Sequence, residues 1–416
     1  MNIFKKFALV AFVFGTVILS ACVEVTDYYT RNYYDTNYYD NGIVYTPPAI
    51  PPEPELVTIP VPAPLPSLEE RVIPIGNTFA IAGDNIFVIK EDAGLWRLSQ
   101  KGEPTHILDN AVSIWSGWST PKVYIHRTDG SLWRWNWKST YSDPDLFLEN
   151  AAYFDGRFSV IKIDGSLWRW SRDNIPVHIM DDVIAFSTWI AGGDSYMAIT
   201  ADSRLWGWGR NWVGAVGDGT NENRYEPVLI MENIAAVSVA RTHAAALCHD
   251  GYLWAWGCNW AGQIGDGTYY TRFSPVRIMD NVVAINADTN SGHGPSSNIL
   301  AIRTDGSLWG WGSGLGLSST PTQIWDDAAQ IIRYWRSVMV ITSTGELWDL
   351  THEPIMILER VTTANRGFML NFALDFDGML WAWEVFKPYS DILLPFGISD
   401  DPRHLPAQIV SGVLLP

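Results

Sequence analysis

Short segments in which apolar and polar residues alternate follow one another along most of the chain, and turn residues separate them. Alternation with a period of two is typical of β-strands. A Leu-Trp dipeptide marks eight of these segments and recurs about every 41 residues, a spacing typical of propeller repeats. The tryptophans of the dipeptides are Trp96, Trp133, Trp168, Trp206, Trp254, Trp309, Trp348 and Trp381. The residue two positions further on is also apolar every time: Leu98, Trp135, Trp170, Trp208, Trp256, Trp311, Leu350 and Trp383.

Further apolar segments accompany each Leu-Trp strand. One leads into the turn before the dipeptide, as in residues 243–250, and another ends in a polar pair, as in residues 275–281. A fourth follows the polar pair at once, as in residues 282–287. The chain is therefore predicted to be all-β, with four short strands in each repeat.

One four-stranded sheet cannot bury both of its faces alone, whereas sheets stacked around an axis cover one another. Eight repeats of four strands therefore predict a β-propeller with eight four-stranded antiparallel blades. Tryptophans that recur once per repeat are expected where the contacts between blades recur. We therefore interpret the eight Leu-Trp tryptophans as structural residues between blades, not as ligand-binding residues.

The first 22 residues have the pattern of a secretory signal peptide. Lys5 and Lys6 precede an apolar run from Phe7 to Leu19, which is too short for a lasting membrane-spanning helix. The sequence Leu-Ser-Ala-Cys that ends at Cys22 resembles the lipobox of bacterial lipoproteins. This resemblance implies that Cys22 is lipidated, and that the protein is held in a bacterial cell envelope, outside the cytoplasm, through its lipid anchor.

Residues 23–66 have the composition of a spacer. Tyr-Tyr-Asp repeats occupy the first part, and residues 47–66 contain nine prolines. Proline-rich segments are extended and semi-rigid. We therefore predict an extended linker at 23–66, followed by a propeller over residues 67–416.

The charge of the chain excludes some partners. Its 45 acidic and 28 basic residues give a formal net charge of −17. Binding to nucleic acid depends on Lys and Arg side chains that neutralise phosphates, so a nucleic-acid partner is not expected. We also expect a monomer.

Two cysteines lie in the predicted propeller. If Asp250-Gly251 forms a two-residue hairpin turn, Cys248 faces Leu253 and Cys258 faces His243. The two sulfur atoms would then be too far apart for a disulfide, so two free thiols are predicted.

Two repeats share a longer motif. Residues 205–220 read LWGWGRNWVGAVGDGT, and residues 253–268 read LWAWGCNWAGQIGDGT. Their Trp-Gly-x-Asn-x-x-Gly-x-x-Gly-x-Gly pattern resembles the regulator of chromosome condensation repeat family. The resemblance implies a propeller, usually of seven blades, so seven blades is the alternative to eight. It also implies a protein partner, because secreted bacterial relatives act by binding another protein.

Strand order predicts which face binds. In an antiparallel meander the loops after the first and third strands of each blade lie on one face, and every long insertion falls there. Long loops on a rigid scaffold often carry the binding residues. The candidate binding residues are Trp212, Arg224, Tyr225, Trp260, Tyr269, Tyr270, Arg272 and His293. Whether Trp212 and Trp260 project outward or pack back on their own loops stays open at this point.

The sequence contains no motif for catalysis or for metal binding. The eight histidines lack metal-ligand spacing, no nucleophile motif is present, and no cofactor is expected. The leading hypothesis is a non-catalytic protein-binding module. The alternatives are a carbohydrate-binding, adhesin-like module and, less favoured, a propeller glycosidase or lyase.

Overall fold

The computed structural model describes most of the predicted propeller and none of the residues before it. The described residues are 79–82, 85–99, 102–116, 122–136, 143–155, 158–170, 175–189, 195–289, 297–313, 318–334, 337–351, 353–366, 370–384 and 407–410. Cys22, the predicted signal peptide and the predicted linker therefore lie outside the described residues. No helix in the described part of the chain has the length and hydrophobicity that crossing a membrane requires.

Within the described residues, thirty-two strands form eight four-stranded antiparallel sheets, arranged as an eight-bladed β-propeller. Blades 1 and 2 contain β1 (Phe79–Ala82), β2 (Asn85–Ile89), β3 (Leu95–Ser99), β4 (Gly102–Leu108), β5 (Ala111–Ser116), β6 (Lys122–Arg127), β7 (Leu132–Asn136) and β8 (Asp145–Leu148). Blades 3 and 4 contain β9 (Ala151–Phe154), β10 (Ser159–Lys162), β11 (Leu167–Trp170), β12 (Pro176–Met180), β13 (Val183–Trp189), β14 (Ser195–Thr200), β15 (Leu205–Gly209) and β16 (Arg224–Met231).

Blades 5 and 6 contain β17 (Ile234–Val239), β18 (His243–Cys248), β19 (Leu253–Gly257), β20 (Arg272–Met279), β21 (Val282–Thr289), β22 (Ser297–Arg303), β23 (Leu308–Gly312) and β24 (Thr322–Trp325). Blades 7 and 8 contain β25 (Gln330–Tyr334), β26 (Ser337–Ile341), β27 (Leu347–Asp349), β28 (Ile355–Leu358), β29 (Val361–Arg366), β30 (Leu370–Asp375), β31 (Leu380–Glu384) and β32 (Ala407–Val410). The predicted all-β class and the count of eight blades are confirmed, and the seven-bladed alternative is wrong.

Each blade pairs its four strands in chain order, and we call these strands a, b, c and d. The first strands of neighbouring blades are linked by hydrogen bonds. The backbone N–H of Val239 donates to Ser187 Oγ at 3.2 Å, and that of Ala287 donates to Ser238 Oγ at 2.9 Å. These four residues all lie on strands a of blades 4, 5 and 6, so strand a is the innermost strand of these blades.

The link between strand d of one blade and strand a of the next explains the recurring polar pair. At six of these links the second residue of the pair has a positive φ, between +55° and +63°. These six residues are Asn110, Asn150, Asp182, Asn233, Asn281 and Arg360. Asn and Asp tolerate this left-handed conformation better than most residues, because their short side chains hydrogen-bond locally.

The same links join the b–c turns of consecutive blades. Between blades 4 and 5, the N–H of Ile234 donates to the Ser203 carbonyl at 2.8 Å, and the N–H of His249 donates to the Asn233 carbonyl at 3.0 Å. Ser203 lies in the b–c turn of blade 4 and His249 in that of blade 5. The b–c turns and d–a links therefore share one face of the propeller, and the long loops lie on the opposite face.

The hairpin at Asp250-Gly251 differs by one residue from the predicted register. Leu247, not Cys248, pairs with Leu253, and His243 pairs with Gly257. A two-residue Asp-Gly turn would place both residues at positive φ, but only Gly251 has one. The loop therefore has three residues. Cys248 and Cys258 are free and buried, as predicted, and burial raises the pKa of Cys248 to about 12.

The most buried tryptophans are not those of the Leu-Trp dipeptides. All eight dipeptide indoles are half-buried, whereas Trp256 and Trp311, two positions further on, are fully buried. In blades 5 and 6 the structural role is thus divided between two tryptophans. The dipeptide indole packs against the buried cluster between blades, while the second tryptophan is part of that cluster.

Trp256 shows how tightly one blade fits the next. Its Nε1 donates to the carbonyl of Ala215, in a loop of blade 4, at 3.1 Å. Gly217 in the same loop has φ +87°, and a Cβ at this position would lie 2.5 Å from Trp256 Nε1. No side chain larger than hydrogen fits there.

We expect Trp256→Ala to lower the free energy of unfolding by about 3–5 kcal/mol, because it opens a cavity between two blades. Trp254→Ala, which removes a half-buried indole from the same strand, should cost roughly 2 kcal/mol or less. Urea unfolding of the two variants measures the difference. Equal losses would contradict the division of roles between the two tryptophans.

Candidate functional site

Two long loops on the face opposite the b–c turns form the candidate site. Loop 4 spans residues 210–223 of blade 4, and loop 5 spans residues 258–271 of blade 5. Both connect strand c to strand d and contain the longer motif found in the sequence. The other long insertions lie largely outside the described residues, and so does His293.

A buried asparagine organises loop 4. The side-chain amide of Asn211 donates to Asp218 Oδ1 at 2.9 Å and to the Thr220 carbonyl at 3.0 Å, and its oxygen accepts the N–H of Val216 at 2.9 Å. Arg224 Nε donates to the other oxygen of Asp218. The asparagine and the arginine thus fix a loop that has no regular secondary structure.

Loop 5 repeats this arrangement with equivalent residues. Asn259 donates to Asp266 Oδ1 at 3.1 Å and to the Thr268 carbonyl at 3.0 Å, and it accepts the N–H of Ile264 at 2.9 Å. Arg272 Nε donates to Asp266 Oδ2 at 2.6 Å. Arg224 and Arg272, both predicted as candidate binding residues, therefore hold their own loops together, with about a third of each side chain exposed.

The two aspartates are stabilised in their charged form. Burial alone raises the pKa of Asp218, but the hydrogen bonds from Arg224, Thr220 and Asn211 outweigh it and leave the pKa below the usual value. The balance at Asp266 is the same. Burial raises its pKa, and hydrogen bonds from Thr268 and Arg272 lower the pKa by more than burial raises it. These carboxylates are thus occupied by protein donors.

Each loop also docks on the next blade. The N–H of Gly219 donates to the Phe273 carbonyl of blade 5 at 2.9 Å, and the N–H of Gly267 donates to the Ser319 carbonyl of blade 6 at 2.9 Å. Each loop is therefore held by two sets of contacts: the hydrogen bonds to its own aspartate and the hydrogen bond to the neighbouring blade.

Trp212 and Trp260 lie at equivalent positions of the two loops and contact each other. Their ring centroids are 6.5 Å apart, and the ring planes meet at 62°, an edge-to-face arrangement. Trp212 remains 59% exposed and Trp260 68% exposed. They are the most exposed tryptophans among the described residues. The structure brings these two predicted residues together across the boundary between blades.

The predicted tyrosines are exposed as well. Tyr269 and Tyr270 lie in loop 5, and Tyr225 follows Arg224 at the start of strand d of blade 4. Phe273, at the position of blade 5 that corresponds to Tyr225, packs against Gly214 of loop 4. The loop face thus combines exposed aromatic side chains with a backbone fixed by hydrogen bonds.

His243 lies at the start of strand b in blade 5 and is completely buried. Burial lowers the pKa of its imidazole to about 4, and the positive charge of Arg333 contributes in the same direction. His243 is therefore neutral at physiological pH.

Sequence reasoning missed the residues that shape the loops. The motif contains Asn211 and Asn259 without indicating a role for them, and it leaves the positions of Asp218 and Asp266 open. A usable signal was their recurrence at the same spacing in both repeats, together with the arginine six residues after each aspartate. A hydrogen-bond network between these residues accounts for that spacing.

The sequence of these two repeats matches a known family. Residues 202–247 and 250–287 match the model of the regulator of chromosome condensation (RCC1) repeat. Each match begins before strand c of one blade and ends in the first strands of the next, so the sequence repeat is offset from the blade. The predicted resemblance is confirmed. A comparison with curated protein sequences gave no match.

Solved structures with a similar fold come from several organisms. Human WBSCR16 shares 16% sequence identity over 74% of this chain and 84% of its own, with a TM-score of 0.43. Prp20p from Saccharomyces cerevisiae shares 14% over 80% and 76%, with a TM-score of 0.35. BamB from Moraxella catarrhalis shares 11% over 75% and 95%, with a TM-score of 0.45. Similarity at this level concerns the fold alone.

Because the imidazole of His243 is buried, we expect the free energy of unfolding to depend on pH. Between pH 6.5, the usual pKa of histidine, and pH 4, the unfolded chain binds a proton at this residue and the folded chain does not. The free energy of unfolding should therefore fall with decreasing pH, by about 1.4 kcal/mol per pH unit from this group.

Urea unfolding of the wild type and of His243→Gln across this pH range measures that contribution. The remaining histidines are present in both proteins, so the difference between the two slopes reports on His243. Parallel slopes would contradict the assignment.

Proposed function

We propose that this propeller, which carries RCC1 repeats in its fourth and fifth blades, is a non-catalytic protein-binding module whose contact surface is the loop face around Trp212 and Trp260. The observation that carries the proposal is the exposed edge-to-face pair formed by these two indoles. Large aromatic side chains on a fixed backbone are the residues that dominate the energetics of protein interfaces.

The rigidity of the loops supports this function. Side chains on a preorganised backbone lose less conformational entropy on binding than those on a mobile loop. Loops 4 and 5 are held by the Asn211 and Asn259 networks and by contacts with the next blade. A partner that covers the two indoles therefore gains their burial without ordering the loops.

The geometry of the pair favours a protein over a glycan. Sugar rings stack on a flat aromatic face, and two indoles at 62° do not form one continuous platform. An angled pair with exposed tyrosines nearby on loop 5 suits an irregular apolar surface, such as a protein side chain inserted against the two rings.

We further propose that Cys22 anchors the protein in a bacterial cell envelope. The charged start, the short apolar run and the Leu-Ser-Ala-Cys sequence support lipidation at this residue. The acidic composition gives no electrostatic attraction to anionic lipids, so the membrane is contacted through the anchor.

Lipidation is tested by growing cells that express the full chain with an alkyne-labelled palmitate. We expect label on the wild-type chain and none on Cys22→Ser. Cys248→Ser, which removes a buried cysteine, is the matched control and should keep the label. Labelling of Cys22→Ser at the wild-type level would refute the anchor.

Binding is tested by recovering partners of the full chain from envelope extract, followed by titration with the purified partner. We expect the double variant Trp212→Ala/Trp260→Ala to bind at least about 30-fold more weakly, because it removes the two central aromatic anchors.

Ile355→Ala is the control, since Ile355 is an exposed apolar residue on the outer strand of blade 7, away from the loops. It should bind as the wild type does. Equal affinity of the double variant and the wild type would remove the loop face as the contact surface. Recovery of a glycan that binds through the same tryptophans would replace the protein partner with a carbohydrate.

A further inference from the structure

In four blades a cationic side chain at the end of strand b, or directly after it, lies over the indole of the same blade's Leu-Trp dipeptide. The pairs and their distances from cation to ring centroid are Lys90 over Trp96 at 4.8 Å, Arg127 over Trp133 at 5.4 Å, Lys162 over Trp168 at 4.4 Å and Arg303 over Trp309 at 5.8 Å. A cation over an indole face is attracted by the quadrupole of the ring. The repeat therefore contains an internal cation position on the face of the b–c turns.

The preceding d–a link supplies a second contact for this cation. Arg303 lies 3.5 Å from the carboxylate of Asp280, and Arg127 Nε donates to the carbonyl of Asp109 at 3.1 Å. Asp280 and Asp109 are the first residues of their polar pairs. Blade 6 thus provides the cation, the aromatic ring and a carboxylate from its own chain, and blade 2 provides the cation, the ring and a backbone carbonyl.

Blade 7 lacks the cation at this position. The N–H of Arg303 donates to the carbonyl of Ser307, four residues on, and the N–H of Thr342 makes the same bond to Glu346, each at 2.9 Å. Thr342 thus stands where blade 6 has Arg303, and Glu346 stands where it has Ser307. Compared with blade 6, this position loses one positive charge and gains one negative charge.

A cavity of about 500 Å³ lies at this position, between blades 6 and 7. Trp325 and Trp348 form part of its wall, with ring centroids 5.2 Å apart. Other interfaces have Met or Leu where Trp325 stands, for example Met279 beside Trp309. We call this space the Trp348 cavity, lined by Trp325, Asp326, Asp327, Thr342, Glu346 and Trp348 among others.

The three carboxylates of the Trp348 cavity accept hydrogen bonds from neutral groups. Gln323 donates to Asp326 at 2.7 Å, the Ser343 hydroxyl donates to Asp327 at 3.0 Å, and Trp348 Nε1 donates to Glu346 at 3.0 Å. None of these donors neutralises the negative charge. The cavity thus combines the aromatic ring and the carboxylate found at the cation position of blade 6 with two additional carboxylates.

The other blades without a basic residue at this position use it differently. In blade 4 the position holds Thr200, whose hydroxyl accepts the Trp206 indole N–H at 3.2 Å. In blade 5 the position holds the buried Cys248, and in blade 8 it holds Asp375, which accepts the Trp381 indole N–H at 2.8 Å.

We propose that the Trp348 cavity binds an alkylammonium or guanidinium group from outside the chain, held over Trp348 and beside Asp326 and Glu346. Its volume accommodates the aliphatic stem together with the charged head. The cation comes either from a free amine or from a Lys or Arg side chain of a partner. The site lies on the face opposite loops 4 and 5, so it is independent of the proposed function.

The test is a titration of the full chain, labelled with ¹⁵N in its tryptophans, with butylguanidinium, butylammonium and neutral butylurea. The indole N–H resonance of Trp348, assigned with Trp348→Phe, reports on binding. We expect saturable shifts with the two cations and none with butylurea. We expect Glu346→Gln to weaken cation binding about three- to tenfold.

Thr342→Arg places the chain's own cation over Trp348, as in blade 6, and should abolish binding of both probes. Glu353→Gln, which changes an exposed carboxylate of the same blade outside the cavity, should bind as the wild type does. If Thr342→Arg loses the dispersed tryptophan spectrum of the folded chain, the comparison of Glu346→Gln with Glu353→Gln decides.

Two blocked tripeptides, acetyl-Gly-Arg-Gly-amide and acetyl-Gly-Lys-Gly-amide, distinguish the sources of the cation. Tighter binding of either tripeptide than of its free counterpart identifies a protein side chain, and equal or weaker binding identifies a free amine. The proposal is overturned if no probe gives a saturable shift, if butylurea shifts Trp348 as the cations do, or if Glu346→Gln binds both cations as tightly as Glu353→Gln does.

Discussion

Each blade of the propeller is stabilised by burying its faces against the neighbouring blades. A four-stranded sheet of five-residue strands is too small to be stable with either face in water. Trp256 illustrates the solution, since its indole is enclosed between its own sheet and the Ala215–Gly217 segment of the preceding blade. Because every interface has to solve the same problem, the sequence repeats the same apolar positions.

The d–a links determine how the blades are joined. A link of two residues gives the chain little freedom, and the left-handed conformation of residues such as Asn233 turns the backbone from the outer strand of one blade to the inner strand of the next. The hydrogen bonds from the link to both adjacent b–c turns fix one face of the propeller. Variation in length is thereby confined to the opposite face, where loops 4 and 5 lie.

The loop face around Trp212 and Trp260 and the Trp348 cavity both arise where single residues differ from the pattern of the other repeats. Trp212 and Trp260 occupy a position that the loop networks leave free, so their exposure has no cost to the interface between blades. Thr342 and Glu346 occupy positions that hold a cation and a serine in blade 6. In both cases comparison with the neighbouring repeats distinguishes the residues that hold the propeller together from those that differ between repeats.

Patterns in the sequence were sufficient to predict the architecture. Strand alternation, the period of the Leu-Trp dipeptide and the polar pairs predicted an all-β propeller, its eight blades and the face that carries the long loops, because these features depend on local patterns that every repeat restates. It also indicated Trp212 and Trp260 as candidate binding residues, since they fall at an open position of the motif, but it left open whether they are exposed. The predicted anchor at Cys22 remains a prediction.

The contacts between side chains of different blades could not be predicted from these patterns. The burial of Trp256 rather than Trp254, the contact between Trp212 and Trp260, and the cavity beside Trp348 each involve residues more than 20 positions apart. The roles of Arg224 and Arg272 depend on loop conformations that no periodicity encodes. The turn at Gly251 is one residue longer than predicted, and the hairpin register differs accordingly. The residue types permit both turns, and the backbone dihedral angles that distinguish them are not specified by the sequence.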